Sequence, residues 1–136
     1  MCAPLPRPAV ADAMRKEMGA EVGVLNSGVL RAEVMYASGT IITVKDVLDI
    51  LPIEDIVLSI QLKGCDLKEA LESGFSRYPA HEGRFPLISG MNVLVSAAGT
   101  PGQRLLEVLP LPPSVSVRVY MTGFEGQLAL KSWKGQ

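Results

Sequence analysis

Two short segments hold the side chains best suited to gripping a ligand. The first is Asn26-Ser27-Gly28-Val29-Leu30-Arg31. It leaves an apolar stretch through a turn whose backbone N–H groups are expected to be free. It also delivers a guanidinium five residues after the Asn26 amide. Backbone donors together with a planar, five-donor cation suit a phosphate or ribose oxygen. The second segment is Gly83-Arg84-Phe85-Pro86, followed by Ser89-Gly90, where an arginine again sits on a glycine-bounded loop beside an aromatic ring. Each has a plainer alternative. Arg31 is then a surface residue after a turn, Phe85 a plug in the core and Arg84 a solvated cation. Two arginine-bearing glycine loops in one small domain strengthen the case for an anion site.

Bond-breaking chemistry finds little to work with. The chain has one histidine, His81, in a polar loop, whereas hydrolytic metal centres gather several His and Asp ligands into one cluster. Cys65 lies in a Gly-Cys-Asp turn without a base nearby in sequence. Ser27 lacks the Gly-x-Ser-x-Gly elbow and a histidine partner, and reads as a turn residue. The expectation is a chain with no catalytic residue, no metal ligand set and no cofactor of its own.

These loops need a scaffold, and the apolar periodicity supplies one. Residues 1–8 carry three prolines and read as a tail. Val10, Ala13, Met14 and Met18 recur at helical spacing over 9–18, and Glu21 to Leu25 reads as a short buried strand. Thr43 and Asp46 form a variant capping box for a helix whose apolar face is Val44, Val47, Leu48 and Leu51, ended by Pro52. Residues 55–63 alternate, with Ile56, Leu58, Ile60 and Leu62 expected to face one way. Asp66 and Glu69 suggest a second capping pair, before a helix with Leu67, Ala70, Leu71 and Phe75 inward. Residues 83–90 read as a loop. Residues 91–96 and 104–109 read as a hairpin, and 115–121 as a last strand. Helices and strands mix without regular βαβα alternation, which predicts an α+β domain over 9–121 with a mixed sheet. Residues 122–136 have no assigned place.

Composition narrows the partners. The 136 residues are 48% hydrophobic with a formal net charge of -1 and 5% aromatics. No long-range field therefore draws the chain to nucleic acid or to an anionic membrane, and there are too few rings for a base-stacking platform. Two distant cysteines make no disulfide framework, and the proline-interrupted start does not resemble a secretion signal. The expected setting is reducing and cytoplasmic.

Taken in order, several segments resemble the C-terminal domain of the 5'-nucleotidase family. They are Asp12-Ala13-Met14-Arg15, Asn26-Ser27-Gly28-Val29-Leu30-Arg31, Gly39-Thr40-Ile41-Ile42-Thr43, Asp46-Val47-Leu48, Leu51-Pro52, Leu62-Lys63-Gly64, Leu67-Lys68-Glu69-Ala70-Leu71-Glu72, Tyr78-Pro79, Gly83-Arg84-Phe85-Pro86 and Ser89-Gly90. The likeness runs from about Val10 to Val108. It implies a layered α/β/β/α domain that recognises a nucleoside or nucleotide for a metallophosphatase domain, where the divalent metal ions and the hydrolytic activity of nucleotide breakdown reside. That domain would act in cis or in trans. Carried over by resemblance, Asn26, Gly28 and Arg31 contact ribose and phosphate, and Ile53, Arg84 and Phe85 complete the candidate ligand-binding set. Three positions depart from the family pattern. Ile53 follows Leu51-Pro52 where many members place an aromatic ring. Val29 stands where many have glycine, and is expected to crowd a close ligand. Gly123-Phe124-Glu125-Gly126 only echoes the usual terminal aromatic motif. These departures suit an alternative reading, a non-catalytic interaction or structural module that kept the fold.

Overall fold

The computed structural model describes residues 2–3, 8–31, 35–53, 56–80, 82–109 and 114–120. In chain order the elements are β1 (Cys2–Ala3), α1 (Pro8–Glu17), β2 (Val22–Asn26), a single 3-10 turn (Ser27–Val29), β3 (Tyr36–Ala37), α2 (Val44–Ile50), β4 (Val57–Lys63), α3 (Gly64–Phe75), β5 (Pro86–Ser89), β6 (Asn92–Val95), β7 (Leu105–Leu109) and β8 (Ser114–Tyr120). Four strands form a mixed sheet in the order β4-β8-β2-β5, with β8 parallel to β2 and the other pairings antiparallel. The class is α+β. Strand β8, the last of the described strands, is thus an inner strand of the sheet.

The two-residue period of β2 explains the layering. Val22 and Val24 point to one face, while Gly23 and Leu25 point to the other. On the first face Val22 packs with Leu67, Leu71 and Phe75 of α3 and Val108 of β7, and Ile60, Leu62 and Ile88 join from the sheet. On the second, Leu25 and Leu87 meet Ala11 of α1 and Val29. Each face therefore has its own core. Burying side chains such as Leu25, at 0% exposure, and Leu71, at 1%, contributes about 1.5–3 kcal/mol apiece.

Helix α1 sits very close to the sheet. A Cβ on Gly23 would lie 2.7 Å from the carbonyl oxygen of Ala11, so only glycine lets the helix dock at this depth. A polar clasp holds the same helix: Arg15 Nε donates to Ser89 Oγ at 2.7 Å, and that hydroxyl donates to the Asp12 carboxylate. Asp12 and Arg15 lie three residues apart, hence on one helical face.

The structure departs from several sequence expectations. Cys2–Ala3 of the expected tail pairs antiparallel with Tyr36–Ala37. Helix α2 has the expected capping box, but Val44, Val47 and Leu48 are 77%, 46% and 54% exposed, and its buried residue is Ile50. A seven-residue helix held at its C-terminal end does not need an inward stripe along its length. Ile60 and Leu62 face the core as expected, whereas Leu58 is 37% exposed and Ile56, which precedes the paired part of β4, is 75% exposed. Helix α3 begins at Gly64, with Lys63 as its N-cap and no side-chain cap. Asp66 therefore lies in the first turn instead of before it. Residues 86–89 form a strand, not a loop. Pro86 is tolerated because β5 is an edge strand and Pro86 is its first residue. The 92–95 and 105–109 hairpin matches the expectation, with a register shift between Leu94 and Val95.

Candidate functional site

The pairing of β2 with β5 builds the site. Asn26, the last residue of β2, stands opposite Pro86, the first of β5, so the turn after one strand meets the loop before the other. The two backbones touch there. Gly28 N–H donates to the Gly83 carbonyl at 2.9 Å, and Ser27 N–H donates to the Phe85 carbonyl at 2.8 Å. A Cβ on Gly28 would lie 2.8 Å from Gly83 Cα, which leaves no room for a side chain at this contact.

This packing corrects the expectation of free backbone donors in the turn. The N–H groups of Ser27, Gly28, Leu30 and Arg31 all donate to backbone carbonyls, the last to Ile50 at 2.9 Å. The turn is therefore not an amide cradle for an anion, and any grip on a ligand falls to side chains. Val29, expected to crowd the ligand, instead points inward at 2% exposure among Ala11, Leu25 and Leu87. An apolar side chain at this place in the 3-10 turn fills the core and leaves the outer surface open.

The six candidate residues are Asn26, Gly28, Arg31, Ile53, Arg84 and Phe85. Asn26 is half-buried and forms no side-chain cap on the 3-10 turn, while Arg31 is exposed. The Arg31–Ile50 bond draws in the end of α2, and with it Leu51, Pro52 and Ile53, the last 40% exposed. Arg84 is exposed and its Nε lies 2.8 Å from Glu82 Oε2. Phe85 is half-buried at the seam of both cores, with its ring edge-on to Phe75 at 5.2 Å and tilted against Tyr78 at 6.3 Å. An apolar cleft of about 370 Å³ opens beside it, lined by Phe75, Phe85 and Ile88 with Met91, Val93 and Val95. The fold thus gathers Asn26, Gly28, Phe85 and Arg84 directly, and reaches Arg31 and Ile53 through the end of α2.

Sequence reasoning passed over Glu82 and Arg77. Glu82 faces two cations, with Oε2 toward Arg84 and Oε1 4.0 Å from Arg77 Nε. Its backbone carbonyl accepts from Phe85 N–H at 3.3 Å and from the Ser27 hydroxyl at 3.4 Å. Nothing local marks it. Arg77 and Glu82 lie on either side of the Tyr78-Pro79 turn and meet only when that turn folds back.

The α2 cap is the other electrostatic feature nearby. Asp46 accepts from Thr43 N–H at 2.8 Å and Thr43 accepts from Asp46 N–H at 3.3 Å. Hydrogen bonds from the Thr43 hydroxyl and then from its backbone hold the Asp46 carboxyl below its usual 3.8. The Tyr36 hydroxyl is raised above 10.0, first by desolvation and then by the adjacent Asp46 charge.

Among the described residues no group of three or more His, Cys, Asp or Glu side chains is arranged to hold a metal ion. Ser27 spends its hydroxyl on the Glu82 carbonyl, and Cys65 is exposed with its thiol 3.6 Å from Asp66 Oδ1. His81 and the Gly123–Gly126 segment with Phe124 lie outside the described residues. No described helix is long and apolar enough to cross a membrane.

Comparison with known proteins places this geometry. The family described as 5'-nucleotidase, C-terminal domain, matches residues 7–124. The chain is 32% identical over 103 residues to the trifunctional nucleotide phosphoesterase protein YfkN of Bacillus subtilis, covering 73% of this chain and 7% of that protein. It is 33% identical over 88 residues to the 5'-nucleotidase of Bos taurus, covering 63% of this chain and 15% of that one. Among solved structures, the 5'-nucleotidase precursor of Thermus thermophilus superposes with a TM-score of 0.77 at 27% identity, covering 92% of this chain and 27% of that one. The chain spans well under a third of each of these relatives.

Proposed function

Since the chain belongs to the 5'-nucleotidase C-terminal domain family, we propose that it is a nucleotide-recognition domain of a 5'-nucleotidase-type hydrolase, acting in nucleotide breakdown with a metallophosphatase domain in cis or in trans. The observation that carries the reading is the junction of the β2 turn with the 83–85 loop. That junction fixes Asn26 beside the Gly28–Gly83 contact and orders the segment leading to Arg31. In this proposal Asn26 Oδ1 and Nδ2 hydrogen-bond ribose hydroxyls, and the exposed Arg31 fork meets a phosphate. Ile53 supplies an apolar face for the base without a π-stack. Phe85 sets the depth of the adjoining cleft, and Arg84 adds positive charge at its loop.

Binding here requires no hydrolysis. With no metal-ligand group among its described residues, this chain contributes recognition and orientation in the proposal. Calorimetric titration of the full chain with AMP and with adenosine tests it. Binding of AMP that Arg31→Ala weakens about ten-fold, as for one lost charge-assisted hydrogen bond, and that Asn26→Ala weakens roughly three- to ten-fold, as for a neutral one, supports the reading. Unchanged affinity in Arg31→Ala removes the site assignment.

A second reading, an interaction module that kept the fold, draws on one observation. Ile41, Val44 and Leu48 leave an apolar surface at 85%, 77% and 54% exposure on and before α2. Silence toward every nucleotide and nucleoside at millimolar concentration favours that reading.

A further inference from the structure

Two guanidiniums converge on the carboxylate of Glu82. Its Oε2 lies 2.8 Å from Arg84 Nε, and its Oε1 lies 4.0 Å from Arg77 Nε. The second distance is the outer limit of an ion pair, and among the described residues Arg77 has no other carboxylate partner. The cluster therefore holds two positive charges against one negative charge.

The chain that carries the cluster is held in place. Gly83 is pressed against Gly28, and the Glu82 carbonyl accepts from both Phe85 N–H and the Ser27 hydroxyl. On the other side, Gly74 near the end of α3 packs so closely that a Cβ there would lie 3.0 Å from the Pro86 ring and 3.3 Å from the Arg84 carbonyl. Each arginine also directly precedes a ring of one aromatic cluster: Arg77 precedes Tyr78 and Arg84 precedes Phe85, with the two rings 6.3 Å apart. The two backbones that bear the cations are thus braced before any ligand arrives, and a braced pair loses less freedom on binding.

The contacts themselves are solvent-accessible. The Arg77, Arg84 and Glu82 side chains are 66%, 50% and 37% exposed. An ion pair this exposed is weak and readily exchanged. Arginine forks match tetrahedral oxyanions in two-point contacts.

From this geometry we propose that Arg77 and Arg84 form an oxyanion-binding subsite for a phosphate or diphosphate group, and that Glu82 is its built-in competitor. The carboxylate occupies the arginines when no ligand is bound, each oxygen standing where a phosphate oxygen would stand. On binding, the anion displaces the Glu82 side chain toward solvent, while the Glu82 backbone stays fixed by its hydrogen bonds to Phe85 and Ser27. This subsite shares Arg84 with the nucleotide reading, but Asn26 and Arg31, on which that reading turns, take no part in it.

The test uses the full chain with inorganic pyrophosphate as probe, followed by NMR of the arginine Nε–Hε signals at low salt. Glu82→Gln, which keeps the size and hydrogen-bonding reach of the side chain but removes its charge, is expected to tighten binding about three- to five-fold, as for loss of one exposed charge pair. Arg84→Ala is expected to weaken binding at least as much, Arg77→Ala to weaken it less, and Lys45→Ala, at an exposed surface cation of α2, to leave it unchanged. The Arg84 Nε–Hε signal should shift on titration in the wild-type chain. Equal or weaker binding by Glu82→Gln overturns the proposal. So does a loss that follows Arg31 instead of Arg84, or the absence of pyrophosphate binding by every variant. AMP titration reports on the nucleotide reading separately, so either idea can fail alone.

Discussion

Replacing Gly28 by alanine asks whether this glycine serves the ligand or the fold. Its φ is not among the positive values, so alanine meets no backbone strain there. The obstacle is space: the new Cβ would sit 2.8 Å from Gly83 Cα, 3.2 Å from its carbonyl oxygen and 3.3 Å from its carbonyl carbon. All three atoms are backbone, so no side-chain rotation relieves the clash, and the loops must separate to admit the methyl group. Overpacking of this kind costs about 1–3 kcal/mol. Weakening of the Gly28–Gly83 hydrogen bond, 2.9 Å long, and of its Ser27–Phe85 neighbour adds roughly 0.5–1.5 kcal/mol. The expected loss is about 2–4 kcal/mol, a drop in melting temperature of roughly 6–15 °C for a domain of this size. The reciprocal change Gly83→Ala brings its Cβ only to 3.1 Å from Gly28 Cα, so it should cost less. Urea unfolding followed by circular dichroism, without any ligand, measures both. If Gly28→Ala is within about 0.5 kcal/mol of wild type, the range of an ordinary surface change, or if Gly83→Ala is clearly the worse of the two, the steric account of this junction is wrong.

The remaining predictions concern the core and the α2 cap. Leu71, at 1% exposure between α3 and the sheet, should lose about 2–5 kcal/mol as Leu71→Ala in the same urea assay, whereas Leu48→Ala on the exposed face of α2 should change stability by less than about 0.5 kcal/mol. The Asp46 carboxyl is held below 3.8 in the folded chain, so its contribution is fully present above that pH and is lost as pH falls through the folded value. The amide protection of Thr43 and Asp46, taken relative to intrinsic exchange at each pH, should fall below about pH 4 in wild type, an acid response that Asp46→Asn should remove; a flat protection profile in wild type counts against the cap.

The local rules carried most of the scaffold. Thr43 and Asp46 mark a capping box because the hydroxyl and carboxylate satisfy each other's backbone donors within one turn, and the structure holds that box. Alternation in 60–63 and 92–95 and the inward positions Leu67, Leu71 and Phe75 follow from the two- and 3.6-residue periods, which need no knowledge of the partner element. Strand β5 was hidden because Pro86 and the flanking glycines look like loop. Only the pairing with β2 turns those four residues into an edge. The polarity of α2 was misjudged for a related reason, since periodicity marks an apolar stripe but cannot tell whether anything lies against it.

By itself, then, the order of residues determined most of the element types, the α+β class and the likeness to the 5'-nucleotidase C-terminal domain. Tertiary contacts decided the rest. Ser27 and Gly28 lost their free N–H groups to carbonyls at Phe85 and Gly83, far along the chain, and Val29 turned from an obstacle into core. Arg77, Glu82 and Arg84 became one cluster because Tyr78-Pro79 turns the chain back on itself. Periodicity is written in neighbouring residues, whereas hydrogen-bond partners and shared charges depend on how turns fold the chain back and where the sheet brings distant loops together.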